Sequence, residues 1–306
     1  MKYYAAIDIG SNAVRLLIKR VNESEPRIDK RLSKVIMLRV PLRLGFDVFK
    51  NGKVSSGKVK KLVRLMKAYR QLLKIYEVSS YRACATSAMR DAANGAKIID
   101  DITKETGIKV DLIDGEEEAR IVYSNHMECM EDRRGNYLYV DVGGGSTEIN
   151  FLVDGDLRFT GSYNIGTVRM LNDAVKVAVW EKLTKDLNEL VIQSGSSSIN
   201  IIGSGGNINK LFRLSKDSDK DRLRLPIESL CSLYQELSSL NLEERMSRYN
   251  LKPDRADVIV PAAKIFINIS EIVKAEYIHV PVLGLADGII DLLYQKDCLL
   301  GRETNG

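Results

Sequence analysis

The sequence predicts an α/β fold made of two similar halves, each a mixed sheet flanked by helices. Three observations predict it. Strand patterns alternate with helical stripes along the chain, which argues for mixed sheets with helices on their faces. The stretch Asp8-Ile9-Gly10-Ser11-Asn12, set between two strand patterns, returns 133 residues later as Asp141-Val142-Gly143-Gly144-Gly145 between two more. The length of 306 residues is about two domains' worth. The repeat reads as two domains facing each other across a cleft, the first over residues 1–130 and the second over 131–306.

Tyr3–Ile9 reads as a buried strand, and its apolar run meets Asp8 too soon for a signal peptide. Val14–Val21 and Arg27–Leu38 follow as strands, the latter with weaker alternation. Residues 54–76 read as a helix, because Val59, Leu62, Val63, Met66, Tyr69, Leu72, Leu73 and Tyr76 recur at spacings of three and four. Lys60, Arg64, Lys67 and Lys74 fall on another face of it, and the sequence does not assign that stripe a ligand. Tyr81–Ala85 is a short strand, a helix runs from Ala88 to Glu105 and stops at Gly107, and Ile108–Ile113 is a strand. Glu116–His126 reads as a helix after Asp114-Gly115, and the polar stretch Glu128–Asn136 marks the domain boundary.

The second half restarts the pattern. Tyr137–Val142 and Ser146–Val153 read as strands, and Asp154-Gly155 as a tight hairpin turn into Leu157–Gly161. Helical patterns cover 167–192, then Ile199–Ile202 is a strand leading through a glycine loop to a short helix over 208–214. Residues 215–225 read as a charged surface loop, followed by helices over 227–238, 255–273 and 287–298 with a strand at Tyr277–Val280.

Composition excludes several classes. Hydrophobic residues are 44% and charged residues 28%, which fits a packed core and not a disordered chain. Cys84, Cys129, Cys231 and Cys298 are scattered, with no Cys/His cluster, so neither a zinc site nor a disulfide framework is expected and a cytoplasmic setting is. No apolar stretch escapes interruption by charge long enough to span a membrane. His126 and His279 are the only histidines, and both read as structural or surface residues. The aromatic residues do not interleave with basic clusters, so sequence-specific nucleic-acid binding is not expected. The net charge of +5 conceals an asymmetry: residues 1–80 carry 19 basic and 6 acidic side chains, the remainder 27 and 35. Such a gradient fits a polyanionic partner or a plain solvated face.

The turns carry the chemistry. Glycines let backbone N–H groups approach an anion closely, and successive N–H groups in a turn form an anion-binding nest. An aspartate at the end of a buried strand is costly unless it is paired or bound to a cation. Gly143-Gly144-Gly145-Ser146-Thr147 adds two hydroxyls, and Glu148 adds a second carboxylate. A third glycine loop, Gly203-Ser204-Gly205-Gly206, enters a helix and forms another phosphate seat.

These residues resemble the exopolyphosphatase/guanosine pentaphosphate phosphohydrolase family, within the actin-like, sugar-kinase and Hsp70-type ATPase superfamily. The matching stretches are Asp8–Arg15, Leu44-Gly45, Ala85–Gly95, Gly115–Arg120, Asp141–Glu148, Gly166–Arg169, Gly203–Gly206 and Pro253–Pro261, in the family's order over nearly the whole chain. ATSAMRDAANG and GEEEAR set this family apart from other actin-like ATPases. The resemblance implies two actin-like (ribonuclease H-like) domains with the active site in the interdomain cleft.

The resemblance also implies roles. Glu118 corresponds to the catalytic base, and Arg90 to a phosphate-binding arginine that meets transition-state charge. Gly10, Ser11, Asn12, Gly143, Gly144, Gly145, Ser146, Thr147, Gly203, Gly205 and Gly206 would hold phosphate. Asp141 and Glu148 would be carboxylates for Mg²⁺ or Mn²⁺, and Asp8 would join them or hold a metal-bound water. The chain departs from the family at Ala13, Asn207 and Gly284-Leu285-Ala286-Asp287-Gly288. With two histidines, it reads as a short two-domain form without the histidine-rich helical part of the family's long members.

The implied activity is Mg²⁺-dependent release of orthophosphate from the end of inorganic polyphosphate. Removal of the 5′ γ-phosphate from guanosine pentaphosphate uses the same chemistry. A non-catalytic polyphosphate or guanosine tetraphosphate sensor needs no water-activating base, and an actin-like ATPase or kinase is disfavoured by the two family-specific stretches. A homodimer is compatible with the sequence.

Overall fold

The computed structural model describes residues 1–25, 31–126, 135–281 and 283–303. They fall into two compact units, Met1–Cys129 with Leu285–Gly306, and Met130–Gly284.

The first unit is built on strands β1 (Tyr3–Ile9), β2 (Val14–Val21), β3 (Leu32–Val40), β4 (Ser80–Ala85) and β5 (Val110–Leu112). Their order is β3-β2-β1-β4-β5, with the first three antiparallel and β4 and β5 parallel to β1. The central strand β1 is buried on both faces, whereas the edge strand β3 leaves Val35, Met37 and Leu38 exposed. Helices α1 (Leu44–Asn51), α2 (Ser56–Ile75), α3 (Ser87–Asp91), α4 (Gly95–Thr106) and α5 (Gly115–His126) complete the N-terminal part. The expected stripe of α2 is the buried one: Leu62, Val63, Met66, Tyr69 and Leu73 enter the core beside Ile7, Leu16 and Ile18. Lys60, Arg64, Lys67 and Lys74 are exposed, and Lys67 pairs with Glu105 at 2.6 Å.

The single helix expected over Ala88–Glu105 is two helices. Ala92 is extended, and the Asn94 side chain bonds both backbone groups of Val54, at 3.0 and 2.9 Å. Those bonds tie residues 92–94 to a neighbouring loop and interrupt the helical ladder. Helix α1 has no counterpart in the expected element list. Arg27–Arg31 and the boundary stretch Glu128–Asn136 fall largely outside the described residues, as do Cys129 and the His126 side chain.

The second unit holds β6 (Asn136–Val142), β7 (Thr147–Val153), β8 (Asp156–Tyr163), β9 (Asn200–Ser204), β10 (Arg224–Pro226) and β11 (Tyr277–His279), in the order β10-β11-β9-β6-β7-β8. With β1 matched to β6, the first five positions of the two sheets coincide: three antiparallel strands, then two parallel ones. The repeat inferred from the D-x-G turns is therefore an architectural repeat, with β10 added. Asp154 and Gly155 both take positive φ, 52° and 85°, as a tight turn between twisted strands requires.

Helices α6 (Thr167–Leu171), α7 (Val177–Ser194), α8 (Gly206–Leu214), α9 (Ile227–Ser239), α10 (Leu242–Tyr249), α11 (Pro253–Ala256) and α12 (Ile259–Val273) surround this sheet. α12 is apolar nearly all round and forms the core with Leu138, Phe151 and Leu183. α10 was not expected, yet Asn241 and Glu244 form a reciprocal capping box that the Asn-Leu-Glu-Glu spacing announces. Among the described residues, no helix is long and apolar enough to cross a membrane.

The last helix, α13 (Leu285–Glu303), corrects the expected domain plan, which gave 131–306 to the second domain. It belongs to the first unit. Asp287 and Asp291 bracket the buried Lys19 of β2 at 2.9 and 3.6 Å, and Asp297 accepts a bond from the Tyr4 hydroxyl at 2.7 Å. A Cβ on Gly288 would fall 2.3 Å from the Ile121 carbonyl oxygen, so α13 crosses α5 backbone to backbone. No local pattern in residues 285–303 reveals these partners.

Burial works against the charged Lys19 ammonium, but Asp287 and then Asp291 outweigh it and hold the group above its ordinary value. A raised ammonium value means that the contribution to stability is complete below the ordinary lysine value of about 10.4 and is lost only as pH climbs through the folded value. Lys19→Met leaves two aspartates without their cation and is expected to destabilise the first unit by about 3 kcal/mol, checked by urea unfolding at neutral pH.

Candidate functional site

In the first unit, Asp8 is 4% exposed and sits directly opposite Arg15 in the β1–β2 pair, where the two form an ion pair. The turn beyond closes with the Gly10 N–H donating to the Ala13 carbonyl at 3.1 Å. Neighbouring segments brace it: the Ser11 and Ser87 hydroxyls lie 2.9 Å apart, the Ser11 carbonyl accepts the Gly45 N–H at 2.8 Å, and the Asn12 carbonyl accepts the Arg43 N–H at 2.9 Å. Leu44-Gly45 thus supports the first glycine turn, which explains its place among the family-like stretches.

Arg90 and Glu118, from two separate stretches, come together. Arg90 Nη1 donates to the Ile113 carbonyl at 2.8 Å and to Glu118 Oε2 at 3.1 Å. The Asp114 side chain caps the start of α5 by accepting the Glu117 N–H at 2.7 Å, which sets the rotation of the helix. Its first-turn carboxylates diverge from there. Glu117 pairs with Arg82 at 2.7 Å and Glu116 with Arg120 at 3.4 Å, whereas Glu118 is 12% exposed and faces Arg90.

In the second unit, Asp141 is directly opposite Glu148 in the β6–β7 pair and beside Ser204 on β9. Asp141 is 9% exposed and Glu148 1%, and Glu148 accepts a bond from the Ser162 hydroxyl at 3.0 Å. The position that holds Arg15 in the first unit thus holds a second carboxylate here. Gly205, at φ +100°, precedes α8, and a Cβ there would lie 2.7 Å from Asp141 Oδ1. The third glycine loop therefore lies against Asp141. Among the described residues, no three His, Cys, Asp or Glu side chains gather as a metal cage. Asp8 lies in the other unit from Asp141 and Glu148.

The loop Gly143–Gly145 is held by its carbonyls. The Gly143 carbonyl accepts the Thr167 N–H at 3.1 Å, and the Gly144 carbonyl accepts those of Val168 and Arg169 at 2.8 and 3.1 Å. The Gly145 carbonyl accepts Nε of the buried Arg169 at 2.8 Å. With its carbonyls engaged on α6 and the Gly143 N–H donating to the Ser146 carbonyl at 2.9 Å, the loop is held in place. A Cβ on Gly166 would lie 2.4 to 2.6 Å from backbone atoms of Gly144 and Gly145, so only glycine permits this approach. The expectation for Thr147 is corrected: it is fully buried, and its one donor goes to the Ile165 carbonyl at 2.6 Å, which leaves no proton for phosphate. Sequence reasoning assigned no role to Gly166-Thr167-Val168-Arg169, although their match to the family was a usable signal. The Thr167 hydroxyl is buried with no hydrogen-bond partner, a feature that calls for explanation.

The sequence model of the Ppx/GppA phosphatase family matches residues 20–296. The chain belongs to the Ppx/GppA phosphatase family. Membership makes it a hydrolase of phosphate bonds. It is 24% identical over 301 residues to exopolyphosphatase 1 of Mycobacterium tuberculosis, a match covering 93% of this chain and 86% of that protein. It is 22% identical to the guanosine-5′-triphosphate,3′-diphosphate pyrophosphatase of Aeromonas salmonicida over 94% of this chain, and the match spans 58% of that protein. A bifunctional 3-dehydroquinate synthase/phosphatase of Fusobacterium nucleatum is 33% identical over 54% of this chain, and the match spans 25% of that protein. The crystal structure of the Aquifex aeolicus Ppx/GppA family member superposes with a TM-score of 0.75 at 25% identity, covering 97% of this chain and 98% of that one.

Gly166→Ala is expected to push the Gly143–Gly145 loop aside and to cost about 2 kcal/mol of stability, together with weakened orthophosphate binding. Denaturant titration and calorimetry check the two effects separately.

Proposed function

We propose that this Ppx/GppA protein hydrolyses the terminal phosphoanhydride of inorganic polyphosphate and releases orthophosphate. The observation that carries this reading is the Arg90–Glu118 pair, two side chains from distant stretches held 3.1 Å apart. Glu118 accepts a proton from water as its oxygen bonds the terminal phosphorus. The bond from that phosphorus to the bridging oxygen breaks, and its electron pair leaves with the shortened chain. Arg90 keeps its guanidinium beside the reacting group by bonding the Ile113 carbonyl, and its remaining N–H groups meet charge growing on the equatorial oxygens. The backbone N–H groups of Ser11 and Asn12 in the first unit, and those of Gly144 and Gly145 in the second, would orient phosphate oxygens, whereas the Gly10 and Gly143 N–H groups are spent on the Ala13 and Ser146 carbonyls.

Asp141 and Glu148 would hold Mg²⁺ or Mn²⁺. Two buried carboxylates in register, with no basic residue at the position Arg15 fills in the first unit, suit a divalent cation. Mg²⁺ takes one or two carboxylates and completes its shell with water and phosphate oxygens, so a three-carboxylate cage is not required. When bound, the cation would neutralise phosphate charge that otherwise repels water. Asp8, paired with Arg15, is better placed to fix the first turn than to add a ligand.

The second reading, removal of the 5′ γ-phosphate of guanosine pentaphosphate, uses the same residues and is favoured by the Aeromonas relative. The mycobacterial relative favours polyphosphate and matches over more of its own length.

Glu118→Gln is expected to lower kcat on polyphosphate about 10²- to 10⁴-fold. Orthophosphate release by the unaltered chain, measured on polyphosphate and on guanosine pentaphosphate side by side, is expected to show the higher kcat/KM for polyphosphate. Undiminished release by the variant removes Glu118 from the mechanism.

A further inference from the structure

We infer that the face of α8 leading away from the third glycine loop is a subsite for the phosphates that follow the terminal one in a linear phosphate polymer, held by Lys210 and Arg213. The inference rests on the polyphosphate reading and extends it to residues with no role so far.

Helix geometry places the charges. Gly206, Lys210 and Arg213 stand four and three residues apart, so they share one face of α8. Ile208, Leu211 and Phe212 turn into the core from the other side. Arg255 of α11 marks the beginning of the face, where its guanidinium donates to the Gly206 carbonyl. Lys220 marks the end, where its ammonium donates to the Phe212 carbonyl and lies 4.1 Å from the centre of the Phe212 ring. The cations thus follow the whole helix, a length of about 13 Å.

Charge decides what this face is for. Among the described residues, neither Lys210 nor Arg213 has an acidic partner. Lys210 is half-buried, and burial, then Arg255 and then Arg213, hold its ammonium below the ordinary lysine range. Burial and Arg213 do the same to Lys220. Gathering like charges costs stability, and a bound anion would offset that cost. Exposed helix faces of this chain are of two kinds: α2 carries Lys60, Arg64 and Lys74 with no acidic residue on the helix, whereas α7 and α4 interleave their charges. On α7, Lys182 faces Asp186 at 2.6 Å and Lys185 faces Glu189 at 3.9 Å, and on α4 Lys97 faces Asp101 at 2.8 Å. The α8 face shares the lack of interleaving with α2 and differs from it in two ways: Lys210 is half-buried, and the face begins at the glycine loop that touches Asp141.

Successive phosphates match the arrangement, because each presents anionic oxygens to the next cation along the helix. A linear polymer presents that run of anionic oxygens without a break, whereas guanosine pentaphosphate separates its 5′ and 3′ phosphates by a ribose that carries a neutral purine, so the occupant is the polymer.

The test measures calorimetric binding of pyrophosphate, of long linear polyphosphate and of guanosine pentaphosphate to the Glu118→Gln protein, with and without Lys210→Gln and Arg213→Gln. The two added substitutions are expected to weaken polyphosphate about tenfold and to leave pyrophosphate within about twofold. Lys210→Arg with Arg213 intact is expected to bind polyphosphate as the parent does, which separates charge from folding. Equal loss for polyphosphate and pyrophosphate, no loss for either, or a greater loss for guanosine pentaphosphate than for polyphosphate overturns the inference. Failure of the polyphosphate reading would appear elsewhere, as absent phosphate release by the unaltered chain.

Discussion

A carboxylate at the end of a central, buried strand must be compensated, and this chain meets that condition twice in different ways. Asp8 ends β1 and is neutralised by Arg15 on the facing strand. Asp141 ends β6 in the equivalent place, yet faces Glu148. Burying a second acid beside the first is costly unless the pair is compensated. The repeat therefore sets up two similar turns and then differentiates them: in one the acid faces an arginine, in the other it faces a second acid.

Close backbone contact turns those turns into rigid seats. Gly166 lets the start of α6 lie against Gly144 and Gly145, and Arg169 takes the Gly145 carbonyl, so carbonyl groups are directed into the protein. Gly205 lets the third loop approach the Asp141 carboxylate. In the first unit, Ser87 and Gly45 brace the corresponding turn. These contacts connect local sequence to function, since a nest binds anions only if its N–H groups hold one direction. The Arg90–Glu118 pair follows the same logic: the Asp114 cap rotates α5 so that one glutamate of three faces the arginine.

Much of this was legible in the sequence, for stated reasons. The α2 stripe, the Asp154-Gly155 hairpin and the paired D-x-G turns are local patterns, and local patterns survive folding. The break between α3 and α4 was not legible, because it depends on Asn94 meeting Val54, 40 residues away. Thr147 misled for a similar reason. A hydroxyl beside glycines looks like a phosphate donor until its proton is found on the Ile165 carbonyl. The role of Gly166 was hidden because a glycine's close approach names no partner in sequence.

By itself, the sequence determined the α/β class, the two-fold repeat and the residue types able to handle phosphate, since all three are written in periodicity and spacing. Tertiary structure decided which of those residues meet. It sent α13 back to the first unit, where Lys19 is buried between Asp287 and Asp291. It gave Arg15 to Asp8 and a second acid to Asp141. It also gathered Lys210, Arg213 and Arg255 at one helix. The physical reason is common to all three: the energy of a buried charge depends on neighbours brought in from distant parts of the chain, and spacing along the sequence does not encode them.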